Sequence, residues 1–226
     1  MTQRLSVDQA ADLTRTGDLW LFRGRTVADR AIQTLTASPV NHVGVAIVID
    51  DLPPLMWHAE LGKSLLDVWS GAHHRGVQLH DLKESVHRWQ DVYRQDAWLR
   101  QISPEVGRKQ EDAALKTVAR LDGAAFPSMG RLATRWLRAR DSYVSRRRRG
   151  AAKVRPEAAF CAEVVAETLI AMGIVRDDRK AHWFDPGTFW SGEYLPLEKG
   201  WSYGVEVPVG SVDPGAPTPS SRTRWR

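Results

Sequence analysis

The 226-residue chain predicts an α+β fold, in which an antiparallel sheet packs against helices that include the one bearing its single cysteine. Three observations carry that prediction. Short apolar runs bounded by glycine, proline or aspartate crowd the first half. Two of them, separated by Asp50-Asp51-Leu52-Pro53-Pro54, read as a hairpin over 42–60. A long apolar stretch with helical spacing then follows late in the chain, around Cys161. The length is ample for one core, so one domain is expected over 1–209, carrying a basic loop at 141–156 and followed by a disordered tail over 210–226.

Element by element, residues 1–16 read as a short polar helix or an arm. Gly17 to Gly24 is a short apolar strand closed by glycines. Thr26 with Asp29 matches a capping-box start, and Val27, Ala28, Ala31, Ile32 and Leu35 continue at helical spacing until Ser38-Pro39. His42 heads the apolar strand Val43 to Ile49. Proline cannot serve a hydrogen-bond ladder, so Pro53-Pro54 turns the chain into a second strand, Leu55 to Glu60. Gly76-Val77-Gln78-Leu79-His80 is a further short strand, with another around Val92 and Tyr93. Ser103-Pro104 starts a helix through Leu121, stopped by Gly123. A second helical stretch spans Met129 to Leu137. Cys161 opens a helix whose apolar face is Val164, Val165, Thr168, Leu169 and Met172, ended by Gly173. Trp201 to Val209 offers a last strand.

Composition sets limits. Hydrophobic residues make up 42% and charged residues 26%, as in a globular chain. No apolar run approaches the roughly 18 residues of a membrane-spanning helix. The first eight residues lack the apolar core of a signal peptide, and one cysteine cannot form an internal disulfide. A cytoplasmic location is expected, or one peripheral to a membrane where a basic strip meets its surface. That strip lies between Arg131 and Arg155, which holds ten Lys or Arg and one acid, Asp141. It reads as a solvated loop, or as a docking segment for an anionic membrane surface through Arg146, Arg147, Arg148 and Arg149; nucleic acid is the less favoured partner.

Two side chains suggest chemistry. A thiol at a helix N-terminus is held towards thiolate by the macrodipole, and an imidazole can take its proton, so Cys161 and His42 form a candidate nucleophile and base. The segment before Cys161 offers no capping side chain, which leaves helix amides for an oxyanion. Gly44 shares a strand face with His42 and leaves room above it. His58 and Glu60 share a face of the next strand and are rival residues to orient His42. A register pairing Ile49 with Leu55 favours Glu60, and a shift of four favours His58. No cofactor or metal is expected. His58-Ala59-Glu60 has the H-x-E form of zinc deaminases but lacks their downstream cysteine pair, and His73-His74 with His80 reads as a solvated loop. No glycine-rich phosphate loop of the required spacing occurs.

Gly17-Asp18-Leu19, Ser38-Pro39-Val40-Asn41-His42-Val43-Gly44, Trp57-His58-Ala59 and Phe160-Cys161-Ala162-Glu163-Val164-Val165, in that order, resemble the circularly permuted papain-like hydrolases of the NlpC type, relatives of lecithin–retinol acyltransferase. The resemblance spans roughly 15–209, with histidine before cysteine as the permutation requires. It implies a permuted papain-like fold and a cysteine-dependent hydrolase or acyltransferase. Such an enzyme acts on an amide, ester or thioester bond of a small molecule or lipid. It also implies Cys161 as nucleophile, His42 as base and His58 as third residue. Phe126 stands where relatives carry tyrosine. A non-catalytic protein binding lipid or an anionic surface, and a cell-wall peptide amidase, are the alternatives.

Overall fold

The computed structural model describes residues 4–24, 38–49, 52–124 and 156–210, the side chains of 156–159 excepted. The expected helices at 26–35 and 129–137, the basic loop at 141–156 up to residue 155 and the tail from 211 lie outside these residues. Helix α1 (Val7–Leu13) is capped by Ser6, whose hydroxyl accepts from the Gln9 amide while the Gln9 side chain accepts from the Ser6 amide. Strands β1 (Leu19–Gly24), β2 (His42–Ile47), β3 (Leu55–Glu60) and β4 (Gly76–Asp81) follow.

After β4 the chain departs from expectation. Asp81 accepts from the Glu84 amide at 2.9 Å and so caps a short helix, α2 (Leu82–His87), which runs into a π-turn, Arg88–Val92. The strand expected around Val92 and Tyr93 starts instead at β5 (Gln95–Arg100). Ser103 belongs to a two-residue strand, β6 (Ile102–Ser103), paired with β7 (Ser202–Tyr203), so the helix expected from Ser103 begins only at α3 (Arg108–Leu121), after Gly107. Helix α4 (Pro156–Ala171) and β8 (Val207–Val209) complete the regular elements; Gly173, at φ 71°, turns the chain away from α4 in the left-handed region.

The fold is α+β, with an antiparallel six-stranded sheet in the order β4-β3-β2-β1-β5-β8. One face is covered by α4, with Val43, Val45, Ile47, Leu55, Trp57, Ala59, Val77 and Leu79 facing Ala162, Val165, Ala166 and Leu169 in one apolar core. Trp57 also donates from Nε1 to Thr168 Oγ1 at 3.1 Å, tying β3 to α4. On the other face Trp20, Phe22, Ala46, Met56 and Leu99 pack against α1, α2 and Trp89 of the π-turn. No described helix is long and apolar enough to cross a membrane.

Candidate functional site

Side chains alternate across a strand, so what faces α4 and what faces away is set by register. β2 and β3 pair Val45 with Trp57 and Ile47 with Leu55, two residues from the register that paired Ile49 with Leu55. β3 and β4 pair His58 with Gln78 and Met56 with His80. His42 lies opposite Phe22 of β1. His42, His58, Glu60, Gln78 and His80 therefore all project from the face turned away from α4. Gly44 lies among them, and the approach is close: a Cβ there would sit 2.9 Å from Met56 Cγ and 3.4 Å from His58 Cβ.

On that face the imidazoles form a chain. His42 Nε2 lies 2.9 Å from His58 Nδ1, His58 Nε2 lies 3.0 Å from His80 Nδ1, and His80 Nε2 lies 3.0 Å from Gln78 Oε1. Gln78 Nε2 donates to the carbonyls of Glu60, Gly62 and Gly76. Glu60 directs Oε2 towards the gap between two rings, 4.0 Å from His58 Nε2 and 3.8 Å from His80 Nδ1, while its Oε1 accepts from Tyr93 at 2.6 Å. Trp89 stacks on His42, with centroids 3.9 Å apart and planes at 16°.

Burial decides the protonation states. It pushes His42 down to about 3 and His80 down to about 4. His58 is lowered well below the ordinary imidazole value by burial first, then by the two flanking histidines. All three rings are neutral at pH 7, so the approach of His58 and His80 to Glu60 is a polar contact rather than an ion pair. Burial raises the Glu60 carboxyl, opposed by the Tyr93 hydrogen bond and by Arg88. Tyr93 is in turn pushed up to about 12 by burial and by Glu60.

The structure brings His42, His58 and Glu60 together and leaves Cys161 elsewhere. Both rivals take part: His58 holds His42 directly, and Glu60 meets His58. Cys161 belongs to the core between α4 and the sheet, fully buried, on the face opposite His42. Among the described residues, Phe22, His58 and Trp89 meet the His42 ring. Nor does Cys161 open its helix. α4 begins at Pro156, a residue suited to a first turn, which places the Cys161 amide beyond the four orphan N–H groups that would serve an oxyanion.

His80 is a second correction. The sequence groups it with His73 and His74 in a solvated loop, yet it is 1% exposed and central to the cluster. Gln78 joins it there. The alternation in Gly76-Val77-Gln78-Leu79-His80 is the signal that finds both, because it puts Gln78 and His80 on one strand face. Trp89 comes from a π-turn, and Tyr93 from the residue that closes it, which no local pattern announces.

No family model matches the chain, and no curated protein matches it. Among solved structures it is similar to the crystal structure of metalloprotein YiiX from Escherichia coli, at 17% identity and a TM-score of 0.43, over 69% of this chain and 64% of that one. The chain thus spans less than two thirds of that protein's length.

Proposed function

We propose that this chain binds a divalent first-row transition ion, zinc by its donor set, between His58 Nε2, Glu60 Oε2 and His80 Nδ1. The convergence of these three atoms carries the reading: they lie 3.0, 3.8 and 4.0 Å from one another. Ligands at ~2.0 Å in a tetrahedral zinc site are about 3.3 Å apart, so small side-chain shifts suffice. Both imidazoles are neutral, the state a ligand needs. Each ligand also has an outer partner on its other polar atom: His58 Nδ1 has His42, His80 Nε2 has Gln78 and Glu60 Oε1 has Tyr93. Two histidines and a glutamate leave a fourth position open, the count found in hydrolytic rather than structural zinc sites. An ion held there supplies Lewis-acid polarisation to a carbonyl, in keeping with an amide or ester substrate.

The test is metal content after dialysis against zinc or cobalt, with the visible spectrum of the cobalt form. One equivalent is expected in the full chain, and loss in both His58→Ala and His80→Ala. Stoichiometric metal in both variants, or none in the parent, overturns the reading.

A second reading keeps the permuted papain-like cysteine hydrolase or acyltransferase. The His42–His58 hydrogen bond favours it, being a base held by an orienting residue. It requires Cys161 to reach His42 across the sheet, and a lipid substrate would suit the arginines at 146–149. An acyl adduct on Cys161 that disappears in His42→Ala would establish it, and adduct formation indifferent to His42 would end it.

A further inference from the structure

We infer that Gln78 sets the direction of the three-imidazole chain, and that metal entry reverses the half of it that ends at His42, turning the remote nitrogen of His42 from a hydrogen-bond acceptor into a donor. The inference rests on the zinc reading and assigns Gln78 a positioning role in it.

The argument starts at the amide. Nitrogen and oxygen of a glutamine are told apart by their partners, and Gln78 Nε2 faces three carbonyl oxygens, those of Glu60 at 3.3 Å and of Gly62 and Gly76 at 3.4 Å. Carbonyls only accept, so the NH2 group must point to them and Oε1 must point to His80. His80 then carries its proton on Nε2, donating to Oε1 at 3.0 Å, and shows a lone pair at Nδ1. A neutral ring has one proton. With His80 Nδ1 bare, His58 must donate to it from Nε2, which leaves His58 Nδ1 bare. His42 must then donate from Nε2, which leaves its own Nδ1 bare. One amide thus orders three rings, each protonated on Nε2. His42 Nδ1, the far terminus, is an acceptor.

An ion needs lone pairs on both His58 Nε2 and His80 Nδ1. His80 presents its lone pair already and stays as it is. His58 must release the Nε2 proton to solvent and receive one on Nδ1, and that proton comes from His42 Nε2. His42 takes a replacement from solvent on Nδ1. Three protons are present before and after, and no ring changes charge. Two rings have exchanged tautomers, and His42 Nδ1–H can now donate to an oxygen acceptor such as a carbonyl or carboxylate.

The experiment is a long-range proton–nitrogen correlation spectrum of the full chain with 15N-labelled histidine, without and with saturating zinc, the rings assigned by His→Gln substitution. Without zinc, His42, His58 and His80 are expected as Nε2–H tautomers. With zinc, His80 stays Nε2–H, while His58 and His42 become Nδ1–H. Gln78→Leu removes the acceptor and is expected to scramble the His80 tautomer in the zinc-free chain and to weaken zinc about 10–100-fold, the usual cost of an outer-shell partner. Gln78→Glu keeps an acceptor at that place and restores the single tautomer. His80 as Nδ1–H in the zinc-free parent, or a single His80 tautomer surviving in folded Gln78→Leu, overturns the role of Gln78. His42 unchanged at zinc saturation overturns the reversal. Absence of zinc binding altogether overturns the metal reading and the reversal with it, and the zinc-free spectrum still decides the ordering by Gln78.

Discussion

Beneath α4, strands β2 to β4 present valine, isoleucine, leucine and one tryptophan to a helix that answers with alanine, valine and leucine; on their reverse the same strands present three histidines, a glutamate and a glutamine. Both sides are equally dry. They differ in what burial demands. An apolar side chain is stabilised by burial alone, at ~25 cal/mol per Å², whereas each buried polar atom needs a partner or costs about 1–3 kcal/mol. The α4 side therefore needs shape, and the reverse side needs a closed circuit of donors and acceptors. That circuit, from His42 to Gln78, passes beside Glu60 Oε2, which is aimed between two rings. The sheet's polar residues thus converge on the side away from its one thiol.

The comparison can be broken most severely on the polar side. Glu60→Ala removes a ligand, and zinc affinity, read by competition with a chromophoric chelator, is expected to fall by more than the ~10²-fold of an outer-shell loss. On the α4 side, Trp57→Ala deletes a fully buried ring and its bond to Thr168. Denaturant titration should show about 3–5 kcal/mol of lost stability, with one equivalent of zinc still bound by the folded fraction.

Acid should separate the faces next. The three imidazoles are depressed in the folded protein, His42 to about 3, His80 to about 4 and His58 in the same direction, so in the window below their ordinary pKa of about 6.5 the unfolded chain binds more protons. Stability is then full above about pH 6.5 and falls as pH drops through that window, by ~1.4 kcal/mol per pH unit for each ring. Glu60, raised by burial, works in the opposite sense: its contribution is full below its ordinary value and is lost as pH rises through the folded one. Denaturation midpoints that are flat from pH 7 to 4.5 would contradict a buried neutral cluster. Gly44→Ala presses on Met56 at 2.9 Å and should cost about 1–2 kcal/mol. Smallest is Cys161→Ala, a trimmed atom in the apolar core, expected to cost about 1 kcal/mol and to leave metal content unchanged.

Much of this architecture was legible in the sequence. β1 to β4, the 42–60 hairpin and the cysteine helix follow from apolar runs and their breakers. The register of β2 on β3 did not, because a slip of two residues keeps every side chain on its face and costs the pattern nothing. His42, His58 and Glu60 stood out as polar residues in apolar strands. The burial of Cys161 was not legible, because a lone thiol near a helix start signals a nucleophile or a small core residue equally well, and the packing of α4 decides where it lies. His80 was lost by grouping it with its neighbours along the chain, His73 and His74, when its neighbours in space lie on β3.

β4 is a border strand of the sheet, and among the described residues its outer side meets short loop segments, Asp67 and Val68 at Leu79 and Gly123 and Ala124 at Val77. Marginal strands of this kind open before the sheet's centre does. With His58 and Glu60 on β3 and His80 on β4, an ion would rivet that margin down. The metal-free chain should then fray along 76–81 first, losing amide protection there while β1 and β2 keep theirs.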